Sequence, residues 1–177
     1  SIKEEVKVLR YSGPFNFSTI NNWAASRVGA GYSHYLLCNN DVEAIAPGWL
    51  GRMLELGQLP DVGIVGAELL YPDRITIQHA GVCVGAYGEA EHFGKFLRLP
   101  DVPTRLGFSE ILASNHEVSA VTAACLLIRR DVFEAVSGFD EALAVGFGDV
   151  DLCLLAGRLG YRVLYCPHAR LIHHESL

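Results

Sequence analysis

The sequence predicts an α/β fold with a sheet covered by helices, and three observations support this prediction. Residues 35–38 form an apolar run without alternation, which is typical of a strand buried on both faces. Strand-like apolar runs alternate along the chain with segments that carry a helical stripe of apolar residues. The chain has 177 residues, 50% of them hydrophobic, so we expect one domain with a substantial core.

The first half of the chain alternates short strands and helices. Residues 5–10 are predicted to form a strand, and Ser18 is predicted to cap the first helix. The strand at 35–38 follows, and the Ala-Pro-Gly turn at 46–48 starts a second helix. Residues 62–70 are apolar and suited to another strand.

The second half begins with a segment of unusual length. Residues 85–117 are predicted to form a loop, and loops this long in a compact domain are often functional. Residues 118–128 are predicted as a strand, and Asp131 is predicted to cap a helix that ends at Gly138. Another helix then precedes a last short strand at 162–166, which is expected to end at Pro167.

Charge, hydropathy and cysteine usage exclude several classes of protein. The formal net charge of −6 argues against a nucleic-acid binder, because such proteins usually need a basic face. No window approaches 18 consecutive apolar residues, so no membrane span is expected in this chain. The first residues lack the apolar core of a signal peptide. The five cysteines include no Cys-x-x-Cys pair, which favours a reduced, cytoplasmic setting over a disulfide scaffold.

A cluster of oxygen-bearing side chains follows the strand at 35–38. Asn39 and Asp41 are two residues apart, so on an extended chain they lie on one face. In open α/β sheets, ligands bind beyond the carboxyl ends of the strands. Two such side chains can hold a hard divalent cation together with the phosphates of a substrate. The alternative interpretation is ordinary turn chemistry after a strand.

Several separated segments match one family in its own order across nearly the whole chain. They are Phe-Asn-Phe-Ser at 15–18, Asn-Asn at 21–22, residues 37–43, 65–67, 70–73 and 77–81, Gly-Phe-Asp-Glu at 138–141, Asp-Val-Asp-Leu at 149–152, Gly-Tyr-Arg-Val at 160–163, and His-His at 173–174. With these segments the chain resembles the inverting family 2 glycosyltransferases of the GT-A fold, especially the rhamnosyltransferase and O-antigen types.

The resemblance implies a particular architecture. We expect a GT-A, Rossmann-like domain with a mixed, mainly parallel sheet and helices on both faces. The single domain would span residues 1–177 and lack the N-terminal strands with which the family normally begins, so the chain on its own is expected to be nearly inactive. The sequence departs from the family at Asn39, which replaces the first Asp of an Asp-x-Asp pattern, and at Gly148, where many members have Glu.

The resemblance also implies a reaction. It is the transfer of a hexosyl or rhamnosyl group from a nucleotide-diphosphate sugar to the hydroxyl of a glycan or lipid-linked acceptor, with inversion and with Mg²⁺ or Mn²⁺. The protein would be cytoplasmic, with a possible place at the inner face of the membrane, and a homo-oligomer is an open possibility. A non-catalytic binding or scaffold module is the alternative. A nucleotidyltransferase lacks support, because the sequence has no Gly-rich phosphate loop.

Four residues receive the main chemical roles from the resemblance. Asp41 is expected to contact the metal or the diphosphate with Asn39 beside it, and His173 is expected to complete the metal site. Asp149 is expected to be the base that takes the acceptor proton. For Asp149 the alternative is a helix N-cap. Adjacent histidines on an extended strand point in opposite directions, so only one of His173 and His174 is expected to face the site, and His173 is preferred. The alternative interpretation is a pair of surface histidines.

Three further residues are expected to contact the substrates. By the resemblance, Gln78 and His79 line the sugar or acceptor side of the site, and Asn22 belongs to a segment that touches or orders the nucleobase. A structural histidine at a strand end is the alternative interpretation of His79.

Overall fold

The computed structural model describes residues 7–86, 89–99 and 107–175. The helices are α1 (Phe17–Ala25), α2 (Trp49–Gly57), α3 (Phe108–Ala113), α4 (Arg130–Ala135) and α5 (Gly148–Arg158). The strands are β1 (His34–Cys38), β2 (Val42–Ala44), β3 (Val62–Leu70), β4 (Ile77–His79), β5 (Val82–Ala86), β6 (Glu89–His92), β7 (His116–Glu117), β8 (Cys125–Arg129) and β9 (Arg162–His173).

The main sheet is mixed, as predicted. Its strand order is β1-β8-β3-β9-β2, with β4 added to β3 and β7 added to β9. Within the described chain, β3 and β9 form the one parallel pair, and every other pairing in this sheet is antiparallel. The expectation of a mainly parallel sheet is therefore wrong for these strands. The reason is that β8 runs antiparallel between β1 and β3, although those two strands point the same way.

Helices cover both faces of the sheet, as predicted. On one face, α4 and α5 contribute Phe133 and Leu152 to a core that includes Ile64 and Ile128 from the sheet. On the other face, α2 inserts Met53 among side chains of β3, β8 and β9. Each such fully buried side chain stabilises the fold by about 1.5–3 kcal/mol. None of the helices in the described part of the chain has the length and apolar character of a membrane span.

The strand predicted at 35–38 lies at an edge of the described sheet. Tyr35 and Leu37 pack against the core on one face, whereas Leu36 is 37% exposed on the other. The expectation of burial on both faces is therefore wrong for β1. The apolar run predicted a central strand, but β1 is an edge strand, and α2 covers that face of the sheet incompletely at this edge.

Helix α1 begins differently from the prediction. The N-cap is Asn16, whose side chain accepts a hydrogen bond from the Thr19 N–H at 2.9 Å. Ser18 is instead fully buried, and its hydroxyl donates to the Leu143 carbonyl at 2.7 Å. This bond fixes α1 against the segment that leads to α5.

Strand β9 continues past Pro167 to His173. The register with β3 shifts between Cys166 and Arg170, so residues 167–169 bulge out of the ladder. A proline in a bulge withholds no ladder hydrogen bond, which explains why the predicted end at Pro167 is wrong. The continuation carries His173 to the end of the sheet near Asp41.

The remaining differences between the predicted and the observed elements lie in segments whose sequences have no clear helical or strand periodicity. The predicted loop at 85–117 contains the end of β5, then β6, α3 and β7, while residues 87–88 and 100–106 lie outside the described residues. The predicted strand at 118–128 is regular only over Cys125–Arg129. In the predicted strand at 5–10, residues 7–10 have no regular structure, and residues 5–6 lie outside the described part.

Candidate functional site

A cleft of about 310 Å³ lies where the ends of β1 and β9 approach the N-terminus of α5. It is lined by Phe17, Ser18, Asn39, Val82, Ala90, His92, residues 122–124, Leu143, residues 145–150 and His173. The cleft therefore contains three of the predicted site residues, Asn39, Asp149 and His173, and Asn39 lies more than 100 positions before the other two in the sequence.

The short segment 122–124 connects the two sides of this cleft. The Ala123 N–H donates to Asp149 Oδ2 at 3.1 Å. The next residue, Ala124, accepts a hydrogen bond from the Asn39 N–H at 2.9 Å through its carbonyl oxygen. Two consecutive residues of one segment thus fix the positions of Asp149 and Asn39 relative to each other.

Asp149 lies in the first turn of α5. Its Oδ1 accepts from the Val150 N–H at 2.9 Å, and its Oδ2 accepts from Ala123. The N-cap of this helix is Phe147, which has a left-handed backbone with φ of 64°. Asp149 is therefore not the N-cap, and its carboxylate lies at the wall of the cleft, where the helix N-terminus favours a negative charge.

Asn39, Asp41 and His173 meet on the opposite side. His173 Nε2 lies 3.2 Å from Asp41 Oδ1 and 3.4 Å from Asn39 Nδ2. The pairing of Val42 with His173 in the β2–β9 ladder places Asp41 beside this ring. His173 is 13% exposed and Asp41 is 24% exposed, so the pair is largely shielded but reachable from the cleft.

Gln78 determines which nitrogen of His173 carries the proton. The Gln78 side-chain NH₂ donates to Glu175 Oε2 at 3.1 Å and faces the His173 carbonyl at 3.5 Å. Its Oε1 therefore faces His173 Nδ1, at 2.7 Å, and accepts the Nδ1–H. In the neutral ring this leaves the Nε2 lone pair directed at Asp41 and Asn39. Gln78 is buried and orients His173, so the expected direct contact with substrate is replaced by a positioning contact.

His174 points to the other side of the strand. Its Nε2 lies 3.4 Å from Glu43 Oε2, and its backbone N–H donates to the Asp41 carbonyl at 2.9 Å. The two histidines thus face in opposite directions, as adjacent residues of a strand do. His173 is the one that faces the cleft.

His79 does not reach the cleft, and the expectation that it contacts substrate is wrong. It is fully buried, its Nδ1–H donates to the Ala67 carbonyl at 2.9 Å, and its Nε2 accepts from the Thr122 N–H at 3.2 Å. Burial, together with the neighbouring His92, lowers the pKa of His79 to about 3. His79 is therefore a neutral ring that holds the backbone of the 122–124 segment through its hydrogen bond with Thr122.

This burial predicts a dependence of stability on pH. The unfolded chain protonates His79 near pH 6.5, whereas the folded chain resists protonation until about pH 3. The stabilisation is complete above pH 6.5 and is lost as the pH falls, by about 1.4 kcal/mol per pH unit. The free energy of unfolding from urea titrations between pH 7 and 4.5 should thus fall more steeply for the wild type than for His79→Gln.

The matched control is His168→Gln, because His168 is also a histidine but is exposed to solvent, whereas His79 is buried. This control should follow the wild-type slope. Parallel slopes for the wild type and His79→Gln would show that His79 is protonated as readily in the folded chain as in the unfolded one.

Asn22 lies away from this cleft, and its expected nucleobase contact stays a prediction. Its side-chain NH₂ donates to the Phe139 carbonyl at 2.9 Å, and its Oδ1 accepts from the Phe139 N–H at 2.9 Å. Gly138 has φ of 73°, and a Cβ there would meet Asn22 Oδ1 at 2.4 Å. The Gly-Phe-Asp-Glu motif and Asn22 therefore form a structural joint between α1 and the segment before α5.

Two residues that line the cleft were not predicted from the sequence. His92 lines it, with Nδ1–H donating to the Gln78 carbonyl at 2.9 Å. Phe147 also lines it and is 54% exposed. His92 lies in a segment without periodicity, so no pattern pointed to it. The left-handed backbone at Phe147 is a long-range feature that local propensity does not predict.

Comparison with solved structures identifies the fold. The chain aligns over 97% of its length with GalNAc-T7 in complex with UDP, GalNAc and Mn²⁺, with a TM-score of 0.73 and 12% identity, covering 32% of that chain. It also aligns over 88% with the mannosyltransferase PcManGT from Pyrobaculum calidifontis in complex with GDP-Man and Mn²⁺, with a TM-score of 0.56 and 15% identity, covering 35% of that chain. The fold is that of the GT-A glycosyltransferases.

Sequence relatives agree with the fold. The chain is 44% identical over 95% of its length to the O-antigen biosynthesis protein RfbC of Myxococcus xanthus. It is 28% identical over 80% of its length to an N-acetylglucosaminyl-diphospho-decaprenol L-rhamnosyltransferase of Mycobacterium tuberculosis. The named relatives and the structural neighbours together support a glycosyltransferase of the GT-A type, similar to family 2. No family model matches it.

The chain spans only part of the length of the relatives that it matches. It covers 13% of RfbC and 47% of the mycobacterial rhamnosyltransferase. It also covers 18% of the uncharacterized protein y4gI of Sinorhizobium fredii, to which it is 46% identical.

Proposed function

We propose that the cleft is a site of sugar transfer from a nucleotide-diphosphate sugar to an acceptor hydroxyl, with inversion. The observation that carries this proposal is that Asp149 and the Asn39–Asp41–His173 group lie at one cleft, both tied to residues 123 and 124. A base and a site for a leaving diphosphate must lie on either side of the reacting sugar carbon, and these two groups provide them.

The residues around His173 fit a divalent cation. With the proton on Nδ1, the Nε2 lone pair and Asp41 Oδ1 are two acceptors 3.2 Å apart, so these two residues would hold a divalent cation. Mg²⁺ and Mn²⁺ are commonly held by one or two protein ligands plus substrate phosphates. Among the described residues, no group of three His, Cys, Asp or Glu side chains is placed to hold a metal, so diphosphate oxygens and water would complete the coordination.

Each residue then has a defined task. Asp149 accepts the proton of the acceptor hydroxyl while that oxygen attacks the sugar carbon and the bond to the diphosphate breaks on the opposite side. The two N–H groups that bind the Asp149 carboxylate hold it in place for this step. Asn39 presents its side chain beside the diphosphate position. The cation supplies charge neutralisation to the departing diphosphate.

The acceptor is proposed to be a glycan or a lipid-linked glycan, and the sugar a hexosyl or rhamnosyl group. The support is the printed names of the relatives, which refer to O-antigen biosynthesis and to rhamnosyl transfer onto a decaprenol-linked sugar. With such an acceptor, transfer would take place in the cytoplasm at the inner face of the membrane, within a complete protein that contains this domain.

The metal assignment is tested through Gln78. In Gln78→Leu the His173 ring loses the acceptor that fixes its Nδ1–H, so Nε2 is no longer held towards Asp41. Loss of such an outer-shell partner typically costs 10–100-fold in metal affinity, so the Mn²⁺ affinity measured by calorimetry with nucleoside diphosphate present should fall by about that factor.

Gln78→Glu combined with Glu175→Gln is the matched variant, because the carboxylate at 78 still accepts the Nδ1–H and the amide at 175 can donate to it. It should retain Mn²⁺ affinity close to that of the wild type. Equal Mn²⁺ affinity in Gln78→Leu and in the wild type would remove His173 from the proposed metal site.

A further inference from the structure

Two of the five cysteines face each other across neighbouring strands. Cys38 at the end of β1 is directly opposite Cys125 at the start of β8. Backbone hydrogen bonds of 2.9 Å link Asn39 N–H to the Ala124 carbonyl and Arg130 N–H to the Ser33 carbonyl. These bonds identify Asn39–Ala124 and Ser33–Arg130 as hydrogen-bonded pairs of the ladder. Hydrogen-bonded pairs alternate with non-hydrogen-bonded pairs, and Asn39–Ala124 is the pair immediately after Cys38–Cys125.

The cysteines therefore form a non-hydrogen-bonded pair of the antiparallel ladder. In such pairs the Cα atoms are about 4.5 Å apart and the side chains are at their closest. Disulfides form with Cα atoms about 4.4–6.8 Å apart. Cys38 and Cys125 thus meet the backbone requirement for a disulfide without movement of the strands.

The two thiols differ in access. Cys38 is exposed and Cys125 is buried. An oxidant can therefore reach Cys38 first, and the thiolate form of Cys38 is the nucleophile. Cys166 is separated from Cys125 by strand β3, which leaves Cys38 as the thiol that faces Cys125 in the sheet.

We propose that Cys38 is a site of oxidation by hydroperoxides and that Cys125 converts the product into an intramolecular disulfide. The Cys38 thiolate attacks the terminal peroxide oxygen, the O–O bond breaks, and sulfenic acid forms with release of an alcohol or water. The Cys125 sulfur then attacks the Cys38 sulfur, the S–O bond breaks, and water leaves. The two thiols lose two electrons and the peroxide gains them.

The disulfide would fix the end of β1 from which Asn39 enters the cleft. Its formation depends only on the two cysteines and the ladder, so it does not rest on the proposed function. A reversible cross-link of this kind is compatible with a reducing compartment, where disulfides are usually transient.

The test is hydrogen peroxide treatment of the reduced, folded chain, followed by denaturation, alkylation of free thiols and mass spectrometry. The proposal predicts two fewer alkylated cysteines, a mass lower by two hydrogens before alkylation, and a linked peptide that contains Cys38 and Cys125. Reduction with a thiol should restore all five alkylated cysteines.

Two variants make the result specific. In Cys125→Ser the Cys38 sulfenic acid should persist and react with dimedone, whereas Cys83→Ser, which removes another exposed thiol, should form the disulfide like the wild type. The proposal is overturned if Cys38→Ser loses two hydrogens as the wild type does. It is also overturned if peroxide oxidises Cys83 in the wild type while Cys38 and Cys125 remain fully alkylated.

Discussion

Replacement of Asp149 by Asn in the complete protein is expected to lower kcat for sugar transfer by about 10²–10⁴-fold, the usual contribution of a general base. The amide has the shape of the carboxylate and keeps an acceptor oxygen for the Ala123 or Val150 N–H, so the cleft should remain folded. Binding of the nucleoside diphosphate should be unchanged, because Asp149 lies on the acceptor side. Steady-state turnover and nucleotide titration measure the two effects separately.

Asp151→Asn is the matched control for this prediction. Asp151 is in the same first turn of α5 but does not line the cleft. Its replacement should leave kcat within a few-fold of the wild type. Near-normal turnover in Asp149→Asn, or an equal loss in both variants, would remove Asp149 from the role of base.

Replacement of Asp41 by Ala is expected to abolish the dependence of turnover on Mn²⁺ at ordinary metal concentrations. A direct ligand should contribute more than the 10–100-fold that outer-shell residues contribute to metal affinity, so we expect a loss of more than about 100-fold. Titration of Mn²⁺ in the turnover assay should therefore show a midpoint shifted to much higher concentration, with partial recovery of the rate there.

Glu43→Gln is the control for Asp41. Glu43 is two residues away but contacts Arg74 and His174 on the exposed side of the strand. Its replacement should leave the Mn²⁺ midpoint unchanged. An unchanged midpoint in Asp41→Ala would show that this carboxylate does not hold the cation.

The parts of the fold with strong local signals were predictable. The apolar runs at β3 and β8 and the helical stripe of α2 match the structure, since burial there follows directly from hydrophobic pattern. The direction of β8 was not predictable, because strand pairing is decided by contacts distant in sequence. The same applies to the bulge at 167–169, which extends β9 to His173 despite a proline.

The candidate site was predictable partly from local pattern and partly from the family resemblance. Asn39 and Asp41 are polar residues directly after a predicted strand, whereas Asp149 and His173 were chosen from the resemblance, and the structure brings the four to one cleft or its immediate edge. His79 and Asn22 match family segments as well, but their hydrogen bonds are to the protein backbone. A sequence pattern does not distinguish a polar residue that binds substrate from one that supports the backbone beneath the site.

The alternative of a non-catalytic binding or scaffold module makes a different prediction about the same cleft. A binding module needs no base and has no turnover to lose, so Asp149→Asn should then leave ligand binding unchanged and the wild type itself should show no sugar transfer in the complete protein. The paired contacts of Asp149 with Ala123 and of Asn39 with Ala124 favour the catalytic interpretation, because they hold the proposed base and the proposed diphosphate site at one cleft.

The most direct test of the account is calorimetric titration of the complete protein with UDP and dTDP, with and without Mn²⁺, for the wild type, Asp41→Ala and Asp149→Asn. The account predicts Mn²⁺-dependent binding of at least one nucleotide to the wild type and Asp149→Asn, and loss of that dependence in Asp41→Ala. Nucleotide binding that is equal in all three proteins and indifferent to Mn²⁺ would contradict it.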